Sequence, residues 1–272
     1  MAGIATSTGT PGRTPVGTGV RRAWMVGGSV FAVAALAMGT MQAVSVLAHE
    51  ESTFTTEVDA ADVRAIEVRN DAGPVYVVGT GGDTVRITGR VSHGLRATGH
   101  SERVEGDTLV LDASCPLFVS TFCGVTYNLE VPAGLSVRVR SEGRLTISDV
   151  DGDVDAATDN GSVRATRIGG DVVLSSDNGS VVATDLRGAS AQADSDNGRV
   201  ELGFVQPPRD VTATSDNGSV EVVVPEGVDY QVDASTDNGA LATLVATAPS
   251  SDHDVTARSD NGDVTVRYPS SG

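Results

Sequence analysis

The sequence predicts an all-β protein, in which a β-solenoid of 18–23-residue coils follows a single N-terminal transmembrane helix. Three observations predict this fold class: a four-residue motif that recurs six times, apolar residues at fixed offsets around it, and a long uncharged segment before it. Self-similarity at a short fixed period is the sequence signature of repeat architectures, so the repeated motif predicts the fold.

The repeated motif is Ser or Thr followed by Asp-Asn-Gly. The spacings between successive glycines are 18, 19, 20, 21 and 23 residues. We predict that these tripeptides form one column of structural turns. Its members are Asp159, Asn160, Gly161, Asp177, Asn178, Gly179, Asp196, Asn197, Gly198, Asp216, Asn217, Gly218, Asp237, Asn238, Gly239, Asp260, Asn261 and Gly262.

Apolar residues alternate on both sides of each turn, which indicates β-strands with one buried face. The positions seven and five residues before the glycine hold Val, Ala or Leu in every copy, and so does the position two residues after it. The position four residues after it is also apolar, with Thr243 as the exception. A degenerate copy around Gly73 follows the same offsets with Ile66, Val68, Val75 and Val77.

Two folds fit these offsets. In a β-solenoid each repeat is one coil, and stacked coils place equivalent residues above one another. In an antiparallel hairpin meander or barrel, each Asn-Gly closes a hairpin. The repetition of the whole motif and the small residues at the fixed apolar offsets favour the solenoid. Aromatic residues are only 4% of the chain, which also fits a thin coil because it has no room for large rings.

The N-terminal segment predicts export. Residues 1–22 form a disordered cytoplasmic tail, 23–48 a transmembrane anchor without a charge, 49–62 a linker and 63–272 the solenoid. The span exceeds the roughly 20 residues that a membrane helix needs, and arginines precede it while acids follow it. The protein is thus predicted in the cell membrane, single-pass, with the N-terminus inside and the repeats outside the cytoplasm. The alternative is a signal peptide cleaved after Ala48.

The charge balance excludes a nucleic-acid partner. The chain holds 36 acidic and 19 basic residues, for a net charge of -17, whereas nucleic-acid binding needs a basic surface. Three of the basic residues and none of the acidic ones precede residue 50, so the exported part is more acidic still.

The six aspartates of the turn column have two interpretations. Stacked carboxylates repel one another, and Ca²⁺ bridging between coils would offset this repulsion. The structural interpretation is local: Asp accepts a backbone hydrogen bond as an Asx turn, Asn tolerates the left-handed region, Gly supplies positive φ, and stacked Asn side chains form a ladder. We expect the structural turn and no cofactor.

Two cysteines, Cys115 and Cys123, enclose seven residues. Outside the cytoplasm an even pair is typical of a disulfide bond, and a redox centre would favour a tighter Cys-x-x-Cys. We expect a structural disulfide that closes a short loop between two strands. The loop contains Leu117, Phe118, Val119 and Phe122, which would cap the solenoid's side or offer a patch to a partner.

Two further segments accompany the Ser/Thr-Asp-Asn-Gly coils: IEVRNDAGPVYVVG at 66–79 and YNLEVPAGLSVRVRSEG at 127–143. With these segments, the chain resembles a bacterial family of unknown function, the β-strand-repeat-containing "putative adhesin" proteins, which is related to the head GIN auto-transporter-adhesin-like domains. The resemblance covers about 63–272 together with the anchor. It implies an extracytoplasmic β-solenoid, and its motifs are specific for architecture rather than for an activity.

We expect a non-enzymatic domain that serves adhesion, binding or scaffolding, with a protein or a cell-envelope glycan as partner. Catalytic residues are not predicted, because every acid lies in a repeated column or at a turn and the four histidines lack a partner spacing. Two alternatives remain open at this point: a β-helix enzyme acting on envelope polysaccharide, and an accessory subunit of a membrane signalling or stress complex.

Overall fold

The computed structural model describes residues 50–93, 99–115 and 123–270, together with four helical residues, Phe31, Ala32, Leu36 and Gly39. The chain divides into two compact units, Met1–Leu47 and Ala48–Gly272. Most of the predicted anchor, 23–48, lies outside the described residues. Within the described part of the chain, no helix is long and apolar enough to cross a membrane.

The second unit consists of short strands joined by turns, and its described residues contain no helix. The strands are β1 (Glu50–Asp59), β2 (Ala65–Asn70), β3 (Val75–Thr80), β4 (Thr84–His93), β5 (Gly99–Glu105), β6 (Thr108–Ser114), β7 (Gly124–Pro132), β8 (Ser136–Ser141), β9 (Leu145–Ser148), β10 (Val154–Thr158), β11 (Val163–Thr166), β12 (Val172–Ser176), β13 (Val181–Leu186), β14 (Ser190–Ser195), β15 (Val200–Phe204), β16 (Asp210–Ser215), β17 (Val220–Val223), β18 (Gln231–Thr236), β19 (Leu241–Leu244), β20 (Asp254–Ser259) and β21 (Val264–Arg267).

Two sheets face each other across one hydrophobic core. Sheet A has the order β1-β4-β7-β3-β9-β11-β13-β15-β17-β21-β19, and sheet B has the order β18-β20-β16-β14-β12-β10-β8-β2-β6-β5. Each coil contributes one strand to each sheet, and the Asp-Asn-Gly turn connects the two. The fold is therefore solenoid-like, as the sequence predicts.

The pairing between coils is parallel and keeps equivalent residues side by side. Val154 pairs with Val172, which pairs with Ala191, and Val163 pairs with Val181, which pairs with Val200. The two strands that flank each Asp-Asn-Gly turn lie in different sheets, so the turn does not close a hairpin. The antiparallel meander, which was the alternative interpretation, is thereby excluded for the coils.

One end of the stack departs from the parallel pattern. There β1 pairs antiparallel with β4, β4 with β7, and β5 with β6. The prediction of a linker over 49–62 was wrong for most of that range, because residues 50–59 form the edge strand β1. We call this end, formed by β1, β4 and β5, the antiparallel end.

The coils do not stack in chain order at the other end. The last coil in the sequence, β20–β21, lies between the coils β16–β17 and β18–β19. The coil β18–β19 is therefore the outermost one, although it precedes β20–β21 in the chain. We call it the terminal coil and β20–β21 the inserted coil.

The core follows the apolar columns predicted from the repeats. The inward residues of the inner coils are fully buried valines, alanines and leucines, as in Val154, Ala156, Val163 and Ala165. Larger side chains cluster near the antiparallel end, where Phe54 packs on Gly89 and lies edge-on to Tyr127. Small side chains in the columns let the two sheets of the inner coils approach closely.

Candidate functional site

The Asp-Asn-Gly turns form one continuous column along a corner of the solenoid. Each glycine stacks so closely on the previous one that an added Cβ would lie well under 3.0 Å from that residue's carbonyl oxygen. Such a Cβ has no room, so the column requires glycine for close backbone approach. The expected reason, positive φ, was wrong: none of these glycines or asparagines has a positive φ.

The hydroxyl that precedes each tripeptide joins neighbouring coils. Ser176 Oγ donates to the Gly161 carbonyl at 2.8 Å and accepts from the Gly179 N–H at 2.8 Å. Ser195 and Ser215 make the same two bonds to their own neighbours. The predicted Asx turn is therefore not what holds the corner, because the hydroxyl of Ser or Thr satisfies the backbone groups instead.

The asparagines form the predicted ladder. In every asparagine of the column except Asn160, Nδ2 donates to the Oδ1 of the asparagine in the adjacent coil at 3.1–3.2 Å, and the ladder runs from Asn160 at one end to Asn238 at the other. Most of the same Nδ2 groups also donate to a backbone carbonyl of an aspartate in that coil. The ladder thus fixes the register of one coil on the next.

The six aspartates of the column point to solvent, and each is exposed. Among the described residues, no group of three or more His, Cys, Asp or Glu side chains could hold a metal ion. The Ca²⁺ alternative stays a prediction that a chelator experiment would test.

The disulfide bond lies at the same corner. Cys115 and Cys123 are bonded, with their Cα atoms 5.8 Å apart, and they join the end of β6 to the start of β7. The coil β6–β7 has no Asp-Asn-Gly, so the bond closes its corner where the other coils have a turn. The apolar residues 117–119 and 122 of this loop lie outside the described part of the chain.

Two further coils of the column were only partly recognised. Ser141 and Gly143 form a shorter copy, in which Ser141 Oγ donates to the Gly73 carbonyl at 2.7 Å and accepts from the Gly143 N–H at 3.0 Å. Asn70 takes the place of the serine in the degenerate copy and donates to the carbonyls of Gly73 and Val125. Leu145 and Ile147 follow Gly143 at the offsets of the pattern, whereas the apolar residues before it stand one position closer to the glycine than in the other copies.

A second column of unusual backbone lies where the sheet A strands end. Asp149, Arg167 and Asp185 have φ values of 61°, 57° and 57°, in a left-handed region that residues other than glycine rarely adopt. The Arg167 guanidinium forms two hydrogen bonds with the Asp149 carboxylate, and this contact holds the pKa of Asp149 below its usual range. The alternation of acid, base and acid lets these charges stack without repulsion.

The outer face of sheet B carries a groove of about 460 Å³ across β6, β2, β8, β10 and β12. We call it the sheet B groove. It combines charged groups with a few exposed methyl groups. Its lining consists of Ala65, Ile66, Glu67, Thr108, Ser136, Val137, Arg138, Asp153, Val154, Asp155, Asp171 and Val173.

Asp155 is the most strongly held carboxylate of the sheet B groove. Arg138 Nε and Arg140 Nη2 both donate to its Oδ2 at 3.0 Å. Burial raises the pKa of Asp155, but the hydrogen bonds and the charges of Arg140 and Arg138 outweigh burial and hold that pKa below its usual range.

The remaining carboxylates of the sheet B groove are also engaged. Asp153 accepts a hydrogen bond from the Asp171 N–H at 2.9 Å, and Asp171 accepts one from the Ser190 N–H at 2.8 Å. Glu67 pairs with Arg69 at 2.8 Å. The groove therefore presents carboxylates that are already held by hydrogen bonds or ion pairs.

The connections that place the inserted coil are held by a separate cluster. The buried Tyr230 hydroxyl donates to the Pro225 carbonyl at 2.8 Å, and burial raises the pKa of Tyr230 to about 12. His253 packs edge-on against Tyr230, and its Nδ1 donates to the Pro208 carbonyl at 2.6 Å. These contacts hold the long connections where the chain crosses to place the inserted coil between its neighbours.

Comparison with known families finds a match over part of the chain. Residues 136–267 match the model of the Toastrack family, DUF4097, whose function is unknown. The match confirms the family resemblance seen in the sequence. No curated protein matches the chain significantly.

Three crystal structures are among those similar to this chain. A "putative adhesin" from Bacteroides fragilis is 16% identical, with a TM-score of 0.48, and the alignment covers 80% of this chain and 97% of that one. A "putative cell adhesion protein" from Clostridium sporogenes is 9% identical, with a TM-score of 0.39 and coverage of 81% and 100%. A "putative adhesin" from Parabacteroides distasonis is 15% identical, with a TM-score of 0.31 and coverage of 80% and 97%.

Proposed function

We propose that this chain is a non-enzymatic, membrane-anchored domain that lies outside the cytoplasm and binds a glycan of the cell envelope through the sheet B groove. The observation that carries the proposal is the groove itself, a fixed array of guanidinium and carboxylate groups on a rigid sheet. Hydroxyl-rich ligands are recognised by such convergent, pre-positioned polar groups. The stacked coils hold these groups in place, which limits the entropy lost on binding.

The state of the carboxylates supports binding over catalysis. Glycoside hydrolysis needs two carboxyl groups, one of them a proton donor with a raised pKa. The pKa of Asp155 is instead held low by two arginines, and Asp153 and Asp171 accept backbone hydrogen bonds from neighbouring coils. In the groove, these groups therefore act as fixed acceptors.

The location rests on the N-terminal segment and on the disulfide bond. The uncharged run at 23–48 follows arginines and precedes acids, which orients the repeats outward. Disulfide bonds persist in oxidising compartments outside the cytoplasm, and the bond between Cys115 and Cys123 fits that location.

The binding proposal is tested with the full chain in detergent and with two probes, an array of bacterial cell-wall glycans and isolated peptidoglycan. We expect saturable binding without release of reducing ends. Replacing Arg138 and Arg140 together by Ala removes the positive charge beside Asp155 and is expected to weaken binding about tenfold or more, which corresponds to about 1.4 kcal/mol.

The matched control is Arg164→Ala, which removes an exposed arginine from the outer face of sheet A. This variant is expected to bind as the wild type does. Equal binding by the double variant would move the ligand away from the sheet B groove, and release of reducing ends by the wild type would show that the domain is an enzyme.

A further inference from the structure

The two ends of the solenoid differ in the charge of their edge strands. At the antiparallel end, β1 carries Glu50, Glu51, Glu57 and Asp59, and β5 carries both acids and an arginine. Charges on an edge strand oppose pairing with another chain. The terminal coil lacks this protection, because β19 is uncharged and lies in an uncharged run over 239–251.

Apolar side chains are also exposed along this edge. Leu241 is 52% exposed and Leu244 is 62% exposed. Val264 and Val220 occupy the same column as Leu241 in the next two coils of the stack, and both are buried to 1% or less. The interior of the solenoid is therefore open to solvent at the terminal coil.

The terminal coil also ends both sheets. Within the described part of the chain, β18 pairs only with β20, and β19 only with β21. The outer N–H and C=O groups of both strands are thus available to a further strand. Asp233, the one charged residue of β18, already forms an ion pair with Arg258 of the inserted coil.

We propose that the terminal coil is a dimer interface, in which a second copy of this chain adds its own terminal coil across a twofold axis normal to the two sheets. Such an axis reverses the strand direction, so β18 pairs antiparallel with the second β18 and β19 with the second β19. It also keeps each sheet on its own side, so inward residues of both copies share one core.

The side chains of β18 suit this pairing. If Ala234 lies on the axis, Val232 faces Thr236 of the second copy and Asp233 faces Ser235, so no two carboxylates are opposed. Along β19 every facing position is uncharged. With a net charge of -17, two copies repel one another over most of their surfaces, and this neutral edge is where they can approach.

A closed dimer follows from the difference between the ends. A head-to-tail assembly would need a second open edge to receive the terminal coil, and the antiparallel end instead presents charged edge strands. An open end without a complementary partner end can close only on itself, which is the isologous contact of a twofold dimer.

The test measures the mass of the full chain in detergent by sedimentation equilibrium over a range of concentrations. We expect a monomer–dimer equilibrium. Replacing Leu241 and Leu244 together by Glu places carboxylates at the interface and is expected to raise the dimer Kd about 100-fold or more. The matched control is Val104→Glu, which alters an apolar residue, 53% exposed, on the edge strand β5 and should leave the Kd unchanged.

A second measurement needs no variant. Amide hydrogen exchange of the wild type is followed on dilution through the Kd, and we expect protection of β18 and β19 to fall while that of β1 and β5 stays constant. A monomer at every concentration, a dimer that survives the Leu241/Leu244 change, or edge amides whose exchange ignores concentration would each overturn the proposal.

Discussion

The inserted coil and the terminal coil contain the same sequence motif but differ in their surroundings. In the inserted coil, Val255, Ala257, Val264 and Val266 are buried to 1% or less. In the terminal coil the equivalent valine and alanine of β18 are only partly buried, and Leu241 is half exposed. The inserted coil has a neighbour on each side, whereas the terminal coil has a neighbour on one side.

This difference explains the order of the stack. The stability of a repeat protein is approximately the sum of each repeat's own stability and of its interfaces with its neighbours. The inserted coil offers apolar residues in every column, while the terminal coil carries Thr243 at the position where the others are apolar. Placing the more apolar coil inside removes more apolar surface from water than chain order would.

The largest expected effect compares one leucine in an inner coil with one in the terminal coil. Leu202 of β15 is fully buried, so Leu202→Ala leaves a cavity and is expected to cost about 2–5 kcal/mol. Leu241→Ala removes a half-exposed side chain and is expected to cost less than about 1 kcal/mol. Denaturant unfolding of both variants at concentrations below the dimer Kd measures the difference, and equal losses would show that the terminal coil of the monomer is as well packed as the inner ones.

A smaller effect is expected for the hydroxyls of the turn column. Ser215 Oγ donates to the Gly198 carbonyl and accepts from the Gly218 N–H, both at 2.9 Å, so Ser215→Ala leaves two backbone groups without this partner. We expect a loss of about 1–3 kcal/mol.

The comparison variant is Thr236→Ala in the terminal coil, whose hydroxyl donates to the Gly262 carbonyl at 2.8 Å. That carbonyl lies near the open end, where water can replace the hydroxyl, so we expect a loss of about 1 kcal/mol or less. Ser215→Thr keeps the hydroxyl and serves as the control. A thermal unfolding experiment in which Thr236→Ala lowers Tm more than Ser215→Ala does would contradict this prediction.

The sequence predicts the coil and its columns because strand alternation is a local property. The offsets around Gly179 or Gly198 state which side chains point inward, whatever the neighbouring coil is. The same offsets recur in every coil, so any two coils can stack in register. The order of the coils therefore leaves little trace in the sequence, and Thr243 is its clearest mark.

Other features escaped prediction because they depend on partners far along the chain. Strand β1 holds only Phe54 and Val58 as apolar residues, and its pairing with β4 makes it a strand. The positive φ of Arg167 has no local signal and depends on a corner that is stacked between Asp149 and Asp185. In the sheet B groove, the residues come from five strands, which only the coil order brings together.

The smallest expected effect concerns an unbalanced charge on sheet B. Asp194 of β14 and Arg258 of the inserted coil lie in the same outward row. Arg258 pairs with Asp233 of the terminal coil, but no ion pair to Asp194 occurs among the described residues. Burial, and then the nearby charges of Asp196 and Asp177, raise the pKa of Asp194.

A raised pKa in the folded state means that the ionised form of Asp194 is less stable there than in the unfolded chain. Its contribution to stability therefore falls as the pH rises from the ordinary value near 3.9 through the higher folded value. Asp194→Asn is expected to raise Tm at pH 7, by a few degrees at most, and to have no such effect below about pH 3.9. Asp233→Asn is the opposite case, because it removes the partner of Arg258. A gain in Tm for Asp194→Asn that is the same at both pH values would show that the carboxylate charge is not its cause.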